Sequence, residues 1–196
     1  VQPDLLWQPI TTGTVPSNVT EFDVPIDLGF KRYKIIVRDW QVSAPTETGI
    51  RFKDSGGNLL LGDSGQTDTY AVQTRVDTMG VFDGSGNQSR EAVDMFNWGT
   101  ATRYGNSFYP IEGEIEAFNL DDGTVWGMVR GEMFGTFEDT GNERLAQSRF
   151  FGALSPRRRS SPASVKTLQF VADSDNLSSS TTFQGGTYEI YGLRET

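Results

Sequence analysis

FQGGTYEIYGLRET, residues 183–196, closes the chain. A glycine pair, Gly185-Gly186, leads into alternating apolar and polar residues through Tyr188 and Ile190, and then into Tyr191-Gly192-Leu193. Alternation with a period of two marks a half-buried strand. Tyr188, Ile190 and the Tyr191 ring are too apolar to hang in water, so the end of this chain is expected to be tied into a sheet rather than to fray.

Moving outward, the same pattern recurs in short runs separated by turn residues. VTEFDVPIDL, from Val19, places Val19, Phe22, Val24 and Ile26 as the apolar positions of a strand with an irregularity near Glu21. GFKRYKIIVRDWQV reads as a longer strand in which Phe30, Tyr33, Ile35, Val37 and Trp40 share a buried face if the register shifts once, leaving Lys31, Arg32, Lys34 and Arg38 largely on the other side. IRFKDSGGNLLL is a hairpin around Asp54, Ser55, Gly56 and Gly57. Tyr70, Val72, Thr74, Val76 and Thr78 alternate as a further strand, whereas DGSGNQS (83–89) reads as a loop and EAVDMFNWG (91–99) leaves a helical turn and a strand open.

YPIEGEIEAFNLDDGTVWGMVRGEMFGTF is expected to form a two-stranded ribbon with Asp122-Gly123 as its tight turn. AQSRFFGAL and VKTLQFVADSD supply two more strands, separated by the Pro- and Ser-rich SPRRRSSPAS loop, and NLSSSTTFQGG is a polar connector. About ten strands spaced by turns predict an all-β fold, an antiparallel β-sandwich or jelly-roll-like single domain over residues 1–196. Residues 1–18 are a candidate extended arm.

Composition narrows the function. The 196 residues contain no cysteine and no histidine, which removes disulfides, thiol nucleophiles, imidazole bases, the Ser-His-Asp triad and ordinary zinc sites. No cofactor and no metal is expected. A net charge of -9 argues against nucleic acid as the partner. No stretch approaches the roughly 18 apolar residues of a membrane span, and VQPDLLWQPI lacks the basic and apolar regions of a signal peptide.

Several groups of residues have the chemistry for a site. Glu112, Glu114 and Glu116 project from one face of a strand, either as carboxylates for a cation or a glycosidase or as a solvated face opposite Ile111, Ile115 and Phe118. One strand alone supplies no facing carboxylate, which favours the solvated face. DGSGNQS carries oxygen at alternate positions like part of a calcium loop but lacks the closing glutamate, so it reads better as a turn, as does DSDN (173–176). Arg157, Arg158 and Arg159 form the single basic run, on a loop that either is solvated or docks on an acidic neighbour or on packaged nucleic acid. Trp98, with Tyr104, Phe108 and Tyr109 in the same loop-like segment, is the best candidate for a ligand or partner surface.

VKTLQFVADSDNLSSSTTFQGGTYEIYGL resembles the closing segment of a group of tailed-bacteriophage particle proteins, in which a strand leads through an Asn- and Ser-rich turn to a final strand ending in Tyr-Gly-Leu. FKRYKIIVRDWQVSAPTETGIRFKDSGG, followed by Tyr70, is similar to the paired aromatic strand and hairpin of that group, and Trp7 adds to the likeness. The group's Ser-Gly-Asn turn has its nearest counterpart in Asp175-Asn176. The resemblance implies an all-β virion protein assembled in the host cytoplasm, found among head-decoration, head-fibre and tail-fibre components, with no catalytic residues.

The expectation is therefore a non-enzymatic structural protein, first a capsid decoration or cement protein. It would act as a homo-oligomer, a trimer being the first candidate, with the major capsid protein or other virion proteins as partners. The alternative is a tail- or head-fibre adhesin that binds host surface glycans. A glycan-cleaving enzyme built on Glu112 or Glu114 is the third class.

Overall fold

A strand needs a partner on each free edge and a neighbour for its apolar face, and the C-terminal segment has all three. In the computed structural model, which describes residues 6–26, 28–44, 47–60, 69–77, 82–88, 93–97, 110–122, 125–139, 142–154, 165–173 and 180–193, twelve strands form two antiparallel sheets. They are β1 (Gln8–Thr14), β2 (Glu21–Pro25), β3 (Arg32–Val42), β4 (Glu47–Lys53), β5 (Thr69–Asp77) and β6 (Phe82–Gln88). Then follow β7 (Val93–Asn97), β8 (Ile111–Phe118), β9 (Gly127–Asp139), β10 (Asn142–Leu154), β11 (Thr167–Val171) and β12 (Phe183–Leu193).

The large sheet has the order β1-β12-β3-β8-β9-β10-β5-β6, and the small one β2-β11-β4-β7. The chain is an antiparallel β-sandwich, and the described residues contain no helix. The last strand, β12, is an interior one, paired with β1 on one side and β3 on the other. Residues 8–14 of the N-terminal segment accordingly serve as an edge strand. That edge is blunted by Pro9 and by a register shift between Pro9 and Thr11, and the β2 edge by Pro25 and the outward Glu21 and Asp23.

The core lies between the sheets. Tyr33, Ile35, Val37, Trp40 and Val42 of β3 are all buried, and the alternation breaks once, between Val37 and Trp40, where the register against β8 shifts. Asp39 takes φ 53 there, and opposite it Gly185 and Gly186 take φ 144 and 121. This is the single register shift that the spacing of β3 demanded. Trp40 reaches through it into an aromatic cluster, with Phe170 at 4.9 Å and Phe22 at 5.3 Å between ring centroids. Phe183 completes the cluster at 4.9 Å from Phe22. Edge-to-face contacts of this kind align ring hydrogens with ring faces and add to the burial itself.

Some local expectations give way. DGSG and the two residues after it lie inside β6, in continuous register with β5 from Val76↔Phe82 to Tyr70↔Gln88. Pairing with a neighbour overrides the weak strand propensity of Gly, Asp and Asn. Val93–Asn97 is strand β7, which decides between helix and strand for that segment.

The ribbon of β8 and β9 is present, and the expected Asp122-Gly123 turn falls partly outside the described residues. The strands end at Phe118 and Gly127, and the connection runs over residues 119–126. Asn119 turns the chain with φ 51, and Leu120 is buried and accepts a hydrogen bond from the backbone N–H of Val165. Leu120 thereby ties this connection to the returning chain. The connector before β12 is also shorter than expected, since Phe183–Gly186 already belongs to the strand. The Asp54 hairpin holds: the Asp54 carboxylate accepts the backbone N–H groups of Gly56 and Asn58 at 2.8 and 2.9 Å.

Candidate functional site

The inward frames of β8 and β9 (Ile111, Ile115, Ala117; Val129, Met133) are buried, so period two sends their alternate residues to the outer face of the large sheet. Glu112, Glu114 and Glu116 stand on this face, as expected for a solvated frame. Phe118 belongs to the same frame, not to the apolar one, because it is an even step from Glu116. The guanidinium groups of Arg32 and Arg130 lie 4.8 and 5.0 Å from the centre of its ring.

Neighbouring strands supply cations in register. Lys34 Nζ is 2.7 Å from Glu114, Arg130 donates through Nε and Nη2 to Glu116 at 3.1 and 2.7 Å, and Arg32 approaches the same carboxylate at 3.7 Å. On β9 and β10, Arg149 donates through Nε to Glu132 at 2.7 Å, and Gln147 donates to the same carboxylate. Glu114 and Glu132 are directly opposite each other in the β8/β9 register, so β9 does bring a second carboxylate beside the first. Each is tied to its own cation, on opposite sides, and both side chains are partly exposed. Among the described residues, no group of three Asp or Glu could hold a metal ion.

The ladder continues onto β3 and β12. Trp7 lies over this part of the face, its ring centre 5.0 Å from Lys34 Nζ. Tyr191 donates its hydroxyl to Glu189 at 2.6 Å, and Arg38 donates to the other carboxylate oxygen at 3.1 Å. These two hydrogen bonds, Tyr191 first, hold the Glu189 carboxyl below its ordinary value of 4.5. A lowered folded-state pKa means stability that is fully present above that ordinary value and is lost as the pH falls through the lowered one. Urea midpoints of wild type and Glu189→Gln should therefore differ near neutrality and converge as the pH falls through that lowered value. A gap that persists unchanged in acid would show that ionisation of Glu189 contributes nothing.

A second feature lies at one end of the sandwich, where β3 and β9 start and β8, β10 and β12 end. Of the six exposed large hydrophobic residues among the described ones, four gather at this end: Leu6 (72%), Leu28 (37%), Val125 (40%) and Trp126 (42%). Phe134 and Phe151 are the other two, on the outer face of β9 and β10.

No family model, curated protein or solved structure matches this chain. Trp98, Tyr104, Phe108 and Tyr109, like Arg157, Arg158 and Arg159, lie outside the described residues, as does the 174–176 part of DSDN. The sequence placed Arg32, Lys34 and Arg38 opposite the buried face of β3, where they are found, but Arg130, Arg149, Trp126 and the exposed Phe134 and Phe151 were not singled out as site residues. For Phe134 the signal was available: it shares the outward frame of Arg130 and Glu132, where an apolar ring has no core to enter.

Proposed function

We propose that this chain is a non-enzymatic structural protein of a tailed-phage particle, an external capsid decoration or cement protein that acts as a homo-oligomer on the shell. The resemblance of its closing segment gives the class. The observation that carries the adhesive role is the apolar end formed by Leu6, Leu28, Val125 and Trp126. Large exposed apolar side chains along one end of a sheet mark a surface that a partner covers, and tryptophan is among the residues enriched where interface energy concentrates. The long in-register pairing of β9 and β10, from Leu154↔Gly127 to Asn142↔Asp139, gives that end a stiff support.

The mechanism is adhesion: the end buries its apolar residues against a neighbouring subunit or the shell, adding contact area that resists internal pressure. Particles carrying the protein should survive heating and low salt better than particles without it. Trp126→Ala combined with Leu28→Ser leaves every core residue in place, and circular dichroism and melting of the isolated chain check that it stays folded. The same pair should weaken attachment by about thirtyfold or more, the loss typical of a truncated hot spot. Identical melting of particles with and without the protein would sink the cement role.

A further inference from the structure

The outer face of β8, β9 and β10 contains an open groove of about 620 Å³, lined by Glu114, Arg130, Glu132, Phe134, Arg149 and Phe151. That volume is in the usual range for small-ligand sites, roughly 300–1,000 Å³. We propose that this groove binds a neutral oligosaccharide, seated between Phe134 and Phe151 and held by the ladder between them.

Charge decides against ionic ligands. Glu114, Glu116 and Glu132 are balanced by Lys34, Arg130 and Arg149, so the groove has no counter-ion to recruit. A polyanion would meet the carboxylates of a molecule with net charge -9, and a polycation would meet the Arg130 and Arg149 side chains, which are 59% and 63% exposed.

Hydrogen-bonding capacity nevertheless remains. Lys34 takes Oε1 of Glu114, and Gln147 and Arg149 share Oε1 of Glu132, which leaves Oε2 of each carboxylate open among the described residues. Arg149 uses only Nε, and Arg130 only Nε and Nη2, so Nη donors of both remain open among the described residues. Open acceptors on β8 and β9 thus lie beside open donors on β9 and β10. The group that answers both is a hydroxyl, which donates once and accepts twice.

The ends of the groove supply apolar plates. Phe134 is opposite Gln147, and Phe151 is four residues further along β10, so their Cα positions are separated by about 14 Å along the strands at ~3.4 Å per residue. Phe134 is 48% and Phe151 39% exposed. A pyranose ring presents C–H groups to such a plate and hydroxyls at its rim, which suits rings at the ends and polar groups between them. An extended peptide is the poorer fit: β8, β9 and β10 are each paired on both sides, so no free edge is offered for strand addition.

This inference concerns the isolated protein and holds wherever the chain sits in a particle. The purified chain would be titrated by calorimetry and by NMR with short neutral oligomers of glucose, mannose, galactose and N-acetylglucosamine, and with heparin and polyglutamate as polyanions. At least one neutral oligomer should bind with a Kd of about 1 mM or tighter, insensitive to salt. Phe134→Ala and Phe151→Ala should each weaken it by about tenfold, and Arg149→Met should do so without changing the melting temperature. Saturation without effect of these three substitutions would overturn the proposal, as would binding of the polyanions alone or no neutral binding up to about 10 mM. Particle attachment is read separately through Trp126, so either conclusion can fail without the other.

Discussion

Trp40→Ala should cost about 3–5 kcal/mol, the range for removing a fully buried tryptophan, and urea melts of the purified chain would show it as a fall in midpoint. The size follows from the position. Trp40 has no exposed surface, contacts Phe22, Phe170 and Phe183 edge-on, and donates Nε1–H to the carbonyl of Thr187 at 2.9 Å. Phe22 and Phe170 come from the small sheet, and Trp40 and Phe183 from the large one. The cavity therefore opens at the joint between the sheets, where rigid strands on both sides limit collapse.

With a total stability typically of about 5–15 kcal/mol, such a loss would leave the domain marginal or unfolded. Trp40→Phe separates the contributions, because it keeps a ring and gives up the hydrogen bond. About 1–3 kcal/mol is expected from the carbonyl left unpaired, plus a smaller packing loss. Equal midpoints for wild type and Trp40→Ala would show that the two sheets are not held by this cluster.

The cluster also explains what was legible in the sequence. In β3, the spacing of Tyr33, Ile35, Val37 and Trp40 contained both the strand and its register shift, because only a buried face imposes such a frame. The closing strand was legible for the same reason. DGSGNQ was not, since its glycines and polar residues have no face to bury and become a strand only because β5 is beside them. The long β8–β9 connection escaped for the converse reason: Leu120 is buried against a segment 45 residues away, at Val165, and no local signal announces that.

The candidate site divides along the same line. That Glu112, Glu114 and Glu116 share an outward frame follows from period two alone. That Lys34 meets Glu114, or Arg149 meets Glu132, depends on strand order and register, which are long-range properties. The groove is a property of three strands at once, and reading each strand singly yields only its charges. Phe134 and Phe151 went unnoticed, although each shares an outward frame with a charged residue, Glu132 for one and Arg149 for the other, and could have been recognised from that.

Gly186→Ala should cost more than a glycine substitution elsewhere in a strand, because two penalties coincide. The residue has φ 121, a conformation that an L side chain rarely adopts. A Cβ added there would also stand 2.7 Å from Trp40 Cδ1 and 2.8 and 2.9 Å from the carbonyl oxygens of Asp39 and Arg38. Two of those three atoms are backbone and cannot rotate away, so the β3 bulge itself would have to move. Backbone strain of this kind costs about 1–3 kcal/mol, and overpacking a tight site adds about 1–3 kcal/mol. The sum is comparable with the loss of Trp40. Gly185 offers the control: it has φ 144 but nothing within 4 Å of an added Cβ, so Gly185→Ala should show the conformational penalty alone. If the two variants melt together, the close approach of Gly186 to the bulge carries no energy and the pair acts only through its dihedral angles. If Gly186→Ala alone is crippled, the glycine pair is required because Asp39 and Trp40 occupy the space that a side chain would need.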